Sequence, residues 1–125
     1  MAKPRSALVL FAHGARDPDW ATPFRTIQRQ VAARRTDLAV ELAFLELMQP
    51  ALPATLEKLA GAGYTAITIA PLFMAQGGHL KEDLPLKLAE IRKHHPAISF
   101  RISRPIGEVE GILSAIANWI CSEHG

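Results

Sequence analysis

Only one cysteine, Cys121, occurs among 125 residues, so no disulfide can form within the chain. A single thiol suits a reducing compartment, and a small buried hydrophobe on the last helix is its expected role. No strong charge of either sign is present. The formal net charge is +2, and no basic run exceeds the pairs Arg34-Arg35 and Arg92-Lys93, so a nucleic-acid partner is not expected. Long apolar runs are also missing. Met1 to Arg5 leads directly into Ala7 to Ala12, which is shorter than a signal-peptide core and far too short to cross a bilayer. The expected location is the cytoplasm, with no membrane partner. There is no G-x-G-x-x-G, Walker loop, H-E-x-x-H or C-x-x-C motif, so the usual signatures of dinucleotide, nucleoside-triphosphate, zinc-protease and dithiol chemistry are absent.

What remains is an ordinary globular composition, 49% hydrophobic and 21% charged. Residues 1–125 suit one domain with one real core, but offer too little wall to enclose a large ligand alone. Ala7 to Ala12 reads as a strand buried on both faces. A helix from about Trp20 carries Phe24, Ile27 and Val31 on one side. Val40, Leu42 and Phe44 alternate in a second strand, and Leu52, Leu56 and Leu59 mark a second helix. Ala66 to Ala70 is a third strand. Leu84, Leu88 and Ile91 mark a third helix, with Pro85 expected in its first turn and Pro96 beyond its end. Ile98, Phe100 and Ile102 alternate with polar residues, as in an edge strand. Val109, Ile112, Leu113, Ile116 and Ile120 form the apolar stripe of a last helix. The β-α alternation predicts an α/β fold: a four-stranded parallel sheet with helices on both faces, flavodoxin-like, in strand order 2-1-3-4.

In open α/β sheets ligands bind at the carboxyl ends of the strands. Those ends gather His13 and Arg16 after the first strand, Glu46 after the second, and Arg104 after the fourth. After the third come Phe73, Met74, Gly77, Gly78, His79 and Lys81. A lone histidine at a strand end often only satisfies a loop carbonyl. Gly14 admits close approach of a ligand or of another backbone. The convergence of His13 and His79 on one rim makes a metal site plausible, with Glu46 as a further donor or a plain surface carboxylate. Gly77-Gly78 before a helix could present free amides to an anion. Phe73 and Met74 could line an apolar pocket or anchor their loop. His94 and His95 suit a helix carboxyl end, where a cation complements the dipole. His13-Gly14 is superficially like the Arg-His-Gly of histidine phosphatases, but Ala12 stands in the arginine's place.

Four segments carry a more specific likeness. They are Leu10-Phe11-Ala12-His13-Gly14-Ala15-Arg16-Asp17-Pro18, Ala43-Phe44-Leu45-Glu46-Leu47, Pro71-Leu72-Phe73, and Gly77-Gly78-His79-Leu80-Lys81-Glu82-Asp83-Leu84-Pro85. In these the chain resembles the short-form sirohydrochlorin cobaltochelatases (CbiX-type), small members of the class II chelatases. Ala15 replaces a frequent serine and Gln49 a frequent glutamate, neither of them a proposed ligand. The resemblance implies insertion of cobalt into sirohydrochlorin on the way to cobalamin. Close relatives insert iron, for sirohaem, or nickel, and imidazole suits all three metals.

Metal insertion requires a metal held weakly enough to leave, removal of two pyrrole N–H protons, and a held macrocycle. Two neutral imidazoles, His13 and His79, meet the first two needs as ligands or proton acceptors. With Glu46 they would still leave coordination positions open. Arg16, Lys81, Arg104 and the amides of Gly77 and Gly78 would attract substrate carboxylates. No permanently bound cofactor is expected, because the divalent metal is itself a substrate. A homodimer is expected because a tetrapyrrole needs two walls, and the resemblance implies it too, since longer chelatases carry two such units in one chain. The rival expectation is a non-catalytic metal or tetrapyrrole carrier that uses the same histidines.

Overall fold

A computed structural model describes residues 5–75 and 77–125, with His79 described by its backbone alone. The elements run β1 (Ser6–Ala12), α1 (Thr22–Arg34), β2 (Ala39–Phe44), α2 (Leu52–Gly61), β3 (Ala66–Pro71), α3 (Gly78–His94), β4 (Ser99–Ile102) and α4 (Glu110–Glu123). All strand pairs are parallel and the order is β2-β1-β3-β4, as the alternation predicts. The order reverses between β1 and β3, which makes their carboxyl ends the switch point where ligands bind in such sheets. Among the described residues no helix is long and apolar enough to cross a membrane.

Successive residues of a strand face opposite sides, so β1 feeds two cores. Ala7, Val9 and Phe11 join Ile67 and Ile69 beneath Leu52, Leu56 and Leu59 of α2 and Leu84, Leu88 and Ile91 of α3. Leu10 and Ala12 join Leu42 and Phe44 on the other face, against Ala21, Trp20 and Phe24. Each fully buried aliphatic side chain contributes about 1.5–3 kcal/mol. The edge reading of β4 holds, since it pairs with β3 alone.

Three expectations need correction. The helix α3 begins at Gly78, so Pro85 lies inside it rather than in its first turn. The apolar stripe read from the sequence begins at Leu84, but Leu80 in the first turn also packs against the core. Proline cannot donate to the carbonyl four residues back, so Lys81 has no intrahelical partner there. The second correction is α4, no residue of which is buried. Its stripe of Leu113, Ile116 and Ile120 is exposed, and Trp119 is 63% exposed and so no core residue of this chain. The third follows from it: Cys121, on the same helix, is exposed and not a core residue. At the other end of α3 the histidines do mark the terminus, and His95 Nε2 lies 2.8 Å from Glu57 Oε2, tying α3 to α2.

Beyond the strand ends the ladder continues into the loops. The Leu45 N–H donates to the Ala12 carbonyl at 2.9 Å and the Glu46 N–H to the His13 carbonyl at 3.0 Å. The Leu72 N–H donates to the Phe11 carbonyl at 2.8 Å. Gly14, at φ +92°, lies so close to this seam that a Cβ would meet the Glu46 carbonyl oxygen at 1.9 Å. The close approach that Gly14 permits is therefore to another backbone. Across the sheet, the Gly107 N–H donates to the Phe73 carbonyl at 3.1 Å, and a Cβ on Gly107 would collide with the Met74 carbonyl at 1.5 Å.

Two substitutions separate core from seam. Leu56→Ala should lower unfolding free energy by about 2–5 kcal/mol in urea titration, the usual cost of a buried leucine. Gly14→Ala removes no core contact, yet should cost about 1–3 kcal/mol from its backbone conformation alone, with the clash added. A Gly14→Ala protein as stable as wild type would show that the seam is not under this constraint.

Candidate metal and tetrapyrrole site

The carboxyl ends of β1, β2 and β3 place His13 between two neighbouring loops. His13 is exposed and its ring lies on the ring of Phe73, with centroids 4.3 Å apart and planes at 43°. Phe73 is only 1% exposed and meets Phe11 edge-on at 5.3 Å and 64°. Phe73 is therefore no open wall for a ligand, as one reading of its sequence position suggests. It anchors its loop and forms a rigid floor beneath the imidazole, where the aromatic contact restricts the ring's tilt.

Glu46 is exposed on the adjoining loop, with its backbone bonded to His13. That bond fixes the spacing of the two residues' main chains independently of their side chains. Among the described residues no group of three or more His, Cys, Asp and Glu side chains could hold a metal ion. The backbone of His79 lies in the first turn of α3, which leaves the sheet at the same rim, while its side chain lies outside the described residues.

Met74, after β3, is 55% exposed, and Leu47, after β2, is 59% exposed. On the loops at the same strand ends and in the first turn of α3, Arg16, Lys81 and Arg104 are all exposed. Among the described residues none of the three is in an ion pair. Gly77 and Gly78 open α3, and Gly77 has φ −67° and ψ 155°, which any residue can adopt. A Cβ at either glycine would meet nothing within 4 Å among the described residues. At the opposite end of the sheet Arg5, Asp37, Tyr64 and neighbours line a cavity of about 440 Å³.

Two features of this rim escape reading by pattern. Gly107 carries a signal, a glycine just after Pro105 and Arg104, but nothing in the sequence says which backbone approaches it. Leu47 reads as an ordinary apolar residue, although its φ is +64°.

A CbiX family model matches residues 7–123. The sirohydrochlorin cobaltochelatase of Sulfurisphaera tokodaii is 33% identical over 105 residues, which cover 84% of this chain and 82% of that protein. The sirohydrochlorin cobaltochelatase of Methanococcus maripaludis is 33% identical over 79 residues, 63% of this chain and 55% of that one. The chain thus spans between about half and four fifths of these relatives' lengths. The crystal structure of the CbiX protein from Marinobacter aquaeolei VT8 superimposes with a TM-score of 0.79 at 28% identity, covering 94% of this chain and 93% of that one. The sirohydrochlorin chelatase SirB from Bacillus subtilis subspecies spizizenii, in complex with cobalt, shares the fold at a TM-score of 0.80 and 24% identity, with this chain covering 50% of its length. Since the family match runs from β1 through α4 and takes in all four rim loops, this chain belongs to the CbiX family.

Proposed function

We propose that the protein is a chelatase that inserts a divalent metal into sirohydrochlorin. Cobalt is the first choice and iron or nickel the alternatives, in cobalamin or sirohaem-type tetrapyrrole biosynthesis. The observation that carries this reading is the composition of the rim: an exposed imidazole stacked on a buried phenylalanine, with exposed apolar side chains and exposed cations on the loops at the same strand ends. A tetrapyrrole has the complementary pattern, with nitrogens at its centre, an apolar ring around them and carboxylates at its edge. The relatives' activity, sirohydrochlorin chelation, supports the same reading.

In this reading His13 and His79 hold the metal or accept the pyrrole protons, and Glu46 is a further metal donor. Each insertion places one M²⁺ among four pyrrole nitrogens and releases two protons, so the macrocycle's charge is unchanged. A neutral imidazole takes a proton near neutral pH and returns it to water, which suits repeated turnover. Few protein donors suit the purpose as well, since a closed four-ligand shell would hold the metal back. Arg16, Lys81 and Arg104 bind the peripheral carboxylates, helped by the amides at Gly77 and Gly78, and Met74 covers apolar ring.

We further propose that residues 1–125 form one chelatase-like unit that works as a homodimer in the cytoplasm. The apolar face of α4 supports the dimer. On the α1 side of the sheet Thr68 and Ala70 of the central strand β3 are only half-buried, although parallel sheets are normally covered on both faces. A second copy related by a two-fold axis would cover such surfaces and supply the missing wall.

Two experiments test these readings. With purified protein and excess sirohydrochlorin, absorbance should show many turnovers with cobalt, whereas a carrier would stop at one equivalent per site. His13→Ala and His79→Ala should each lower the initial rate about 10²–10⁴-fold with circular dichroism unchanged, and His94→Ala should stay near wild type. Near-normal rates in both folded single variants would end the histidine assignment. Light scattering should show a wild-type dimer, and Ile116→Glu, which places a charge on the α4 face, should shift it to monomer. An active wild-type monomer at assay concentration would refute the dimer.

A further inference from the structure

The turn after β2 holds a leucine in a conformation that leucine disfavours. Leu47 has φ +64°, in the left-handed region where a Cβ crowds the backbone and where glycine or asparagine is usual. The Met48 N–H donates to the Glu46 carbonyl at 2.8 Å, closing a three-residue turn with Leu47 at its tip. The Phe44 N–H donates to the Pro50 carbonyl at 2.9 Å and closes the loop at its base. The Glu46 N–H is bonded to His13, and Gly14 is pressed against the same Glu46 carbonyl that Met48 uses. The surrounding bonds thus over-determine the turn, which is the condition under which such strain persists.

The side chain gains nothing visible in return. Leu47 is 59% exposed, while Leu45 and Met48 on either side pack against the two cores. The loop's hydrogen bonds hold the strained backbone, but they call for no leucine: the apolar group stays exposed, and a glycine would meet the same backbone with less strain. The position of Leu47 does have a counterpart. The strand order puts β1 between β2 and β3, so the loops that carry Leu47 and Met74 leave the sheet on either side of the loop that carries His13. Neighbouring strands are about 4.8 Å apart, so the two loops leave the sheet roughly 10 Å from one another. That separation suits a flat ring system laid over the histidine.

We propose that Leu47 is a substrate-binding residue: its strained turn presents an apolar side chain that, with Met74, contacts the face of the planar tetrapyrrole beside His13. This rests on the chelatase reading and adds to it a contact on the β2 side. Leu47 acts by binding alone and takes no part in proton transfer or metal ligation. Its loss should weaken ground state and transition state alike, which raises KM and leaves kcat in place.

The test compares Leu47→Gly, which relaxes the backbone and removes the side chain, with Leu47→Met, which keeps an apolar group. Thermal unfolding, cobalt insertion kinetics and direct sirohydrochlorin binding by absorbance titration without metal are measured on the full chain. Leu47→Gly should show a Tm no lower than wild type, with KM and the sirohydrochlorin Kd raised about tenfold, as expected for loss of a partly covered leucine contact, and kcat within about twofold. Leu47→Met should return both constants to near wild type. Unchanged Kd and KM in Leu47→Gly, with wild type turning over, would overturn the proposal and leave the chelatase reading standing. A lower Tm with a reduced kcat that Leu47→Met fails to restore would also overturn it, because the residue would then serve the turn alone. If wild type binds sirohydrochlorin without inserting metal, the chelatase reading fails while the Kd comparison still decides the role of Leu47. If wild type neither binds nor turns over sirohydrochlorin, both fall together.

Discussion

The backbone seam between the loops after β1 and β2 is the constraint on which the rim depends. The Glu46 N–H bonded to the His13 carbonyl carries the ladder one step past the strands, where side-chain packing no longer holds the chains together. It can form only because residue 14 has no side chain, since the Glu46 carbonyl occupies the volume that a Cβ would fill. His13 is consequently positioned by its own main chain and by the ring of Phe73 beneath its imidazole, which packs against Phe11 in the core. A surface imidazole usually samples several rotamers. Here the floor limits its freedom while leaving one side open to solvent, an arrangement suited to a metal that must arrive and leave.

The same economy recurs on the β3 side. Gly107 takes the place of a side chain so that the loop after β4 can press on Met74 and bond to Phe73. The loops after β1, β2, β3 and β4 thus become one connected surface rather than four independent tips. Main-chain bonds and two glycines are its material, and the exposed groups it carries can differ without disturbing the support. Loops held by scaffold backbone are where binding and catalytic groups are usually displayed.

The opposite condition holds at α4. A helix stabilised by its own hydrogen bonds can form without a partner, but its apolar side chains still lose free energy to water. With Trp119 and Ile120 exposed, and β3 half-open on the α1 side, the isolated chain leaves two apolar surfaces unsatisfied. A second chain is the proposed remedy, and it would also supply the second wall that one small domain lacks.

Order and type of the elements were legible in the sequence because hydrophobic periodicity is a local property. Six apolar residues in a row at β1, period-two alternation at β2 and β4, and helical spacing at Leu52, Leu56 and Leu59 each reflect burial at a fixed repeat. The rule that ligands lie at strand carboxyl ends then located His13, Glu46, Arg16 and Arg104 on one rim without coordinates. The start of α3 was legible in two ways, since Gly77-Gly78 reads as the lead-in to a helix while Pro85 imitates a first turn, and the structure decided for Gly78. The role of Phe73 was not legible either, because lining a pocket and supporting a histidine call for the same apolar residue. Tertiary structure alone decided that Gly14 meets Glu46, that Gly107 meets Met74, that Leu47 takes a left-handed backbone and that α4 stays uncovered. Each of these depends on which distant segments approach one another, and periodicity along one segment carries no information about what lies across the gap.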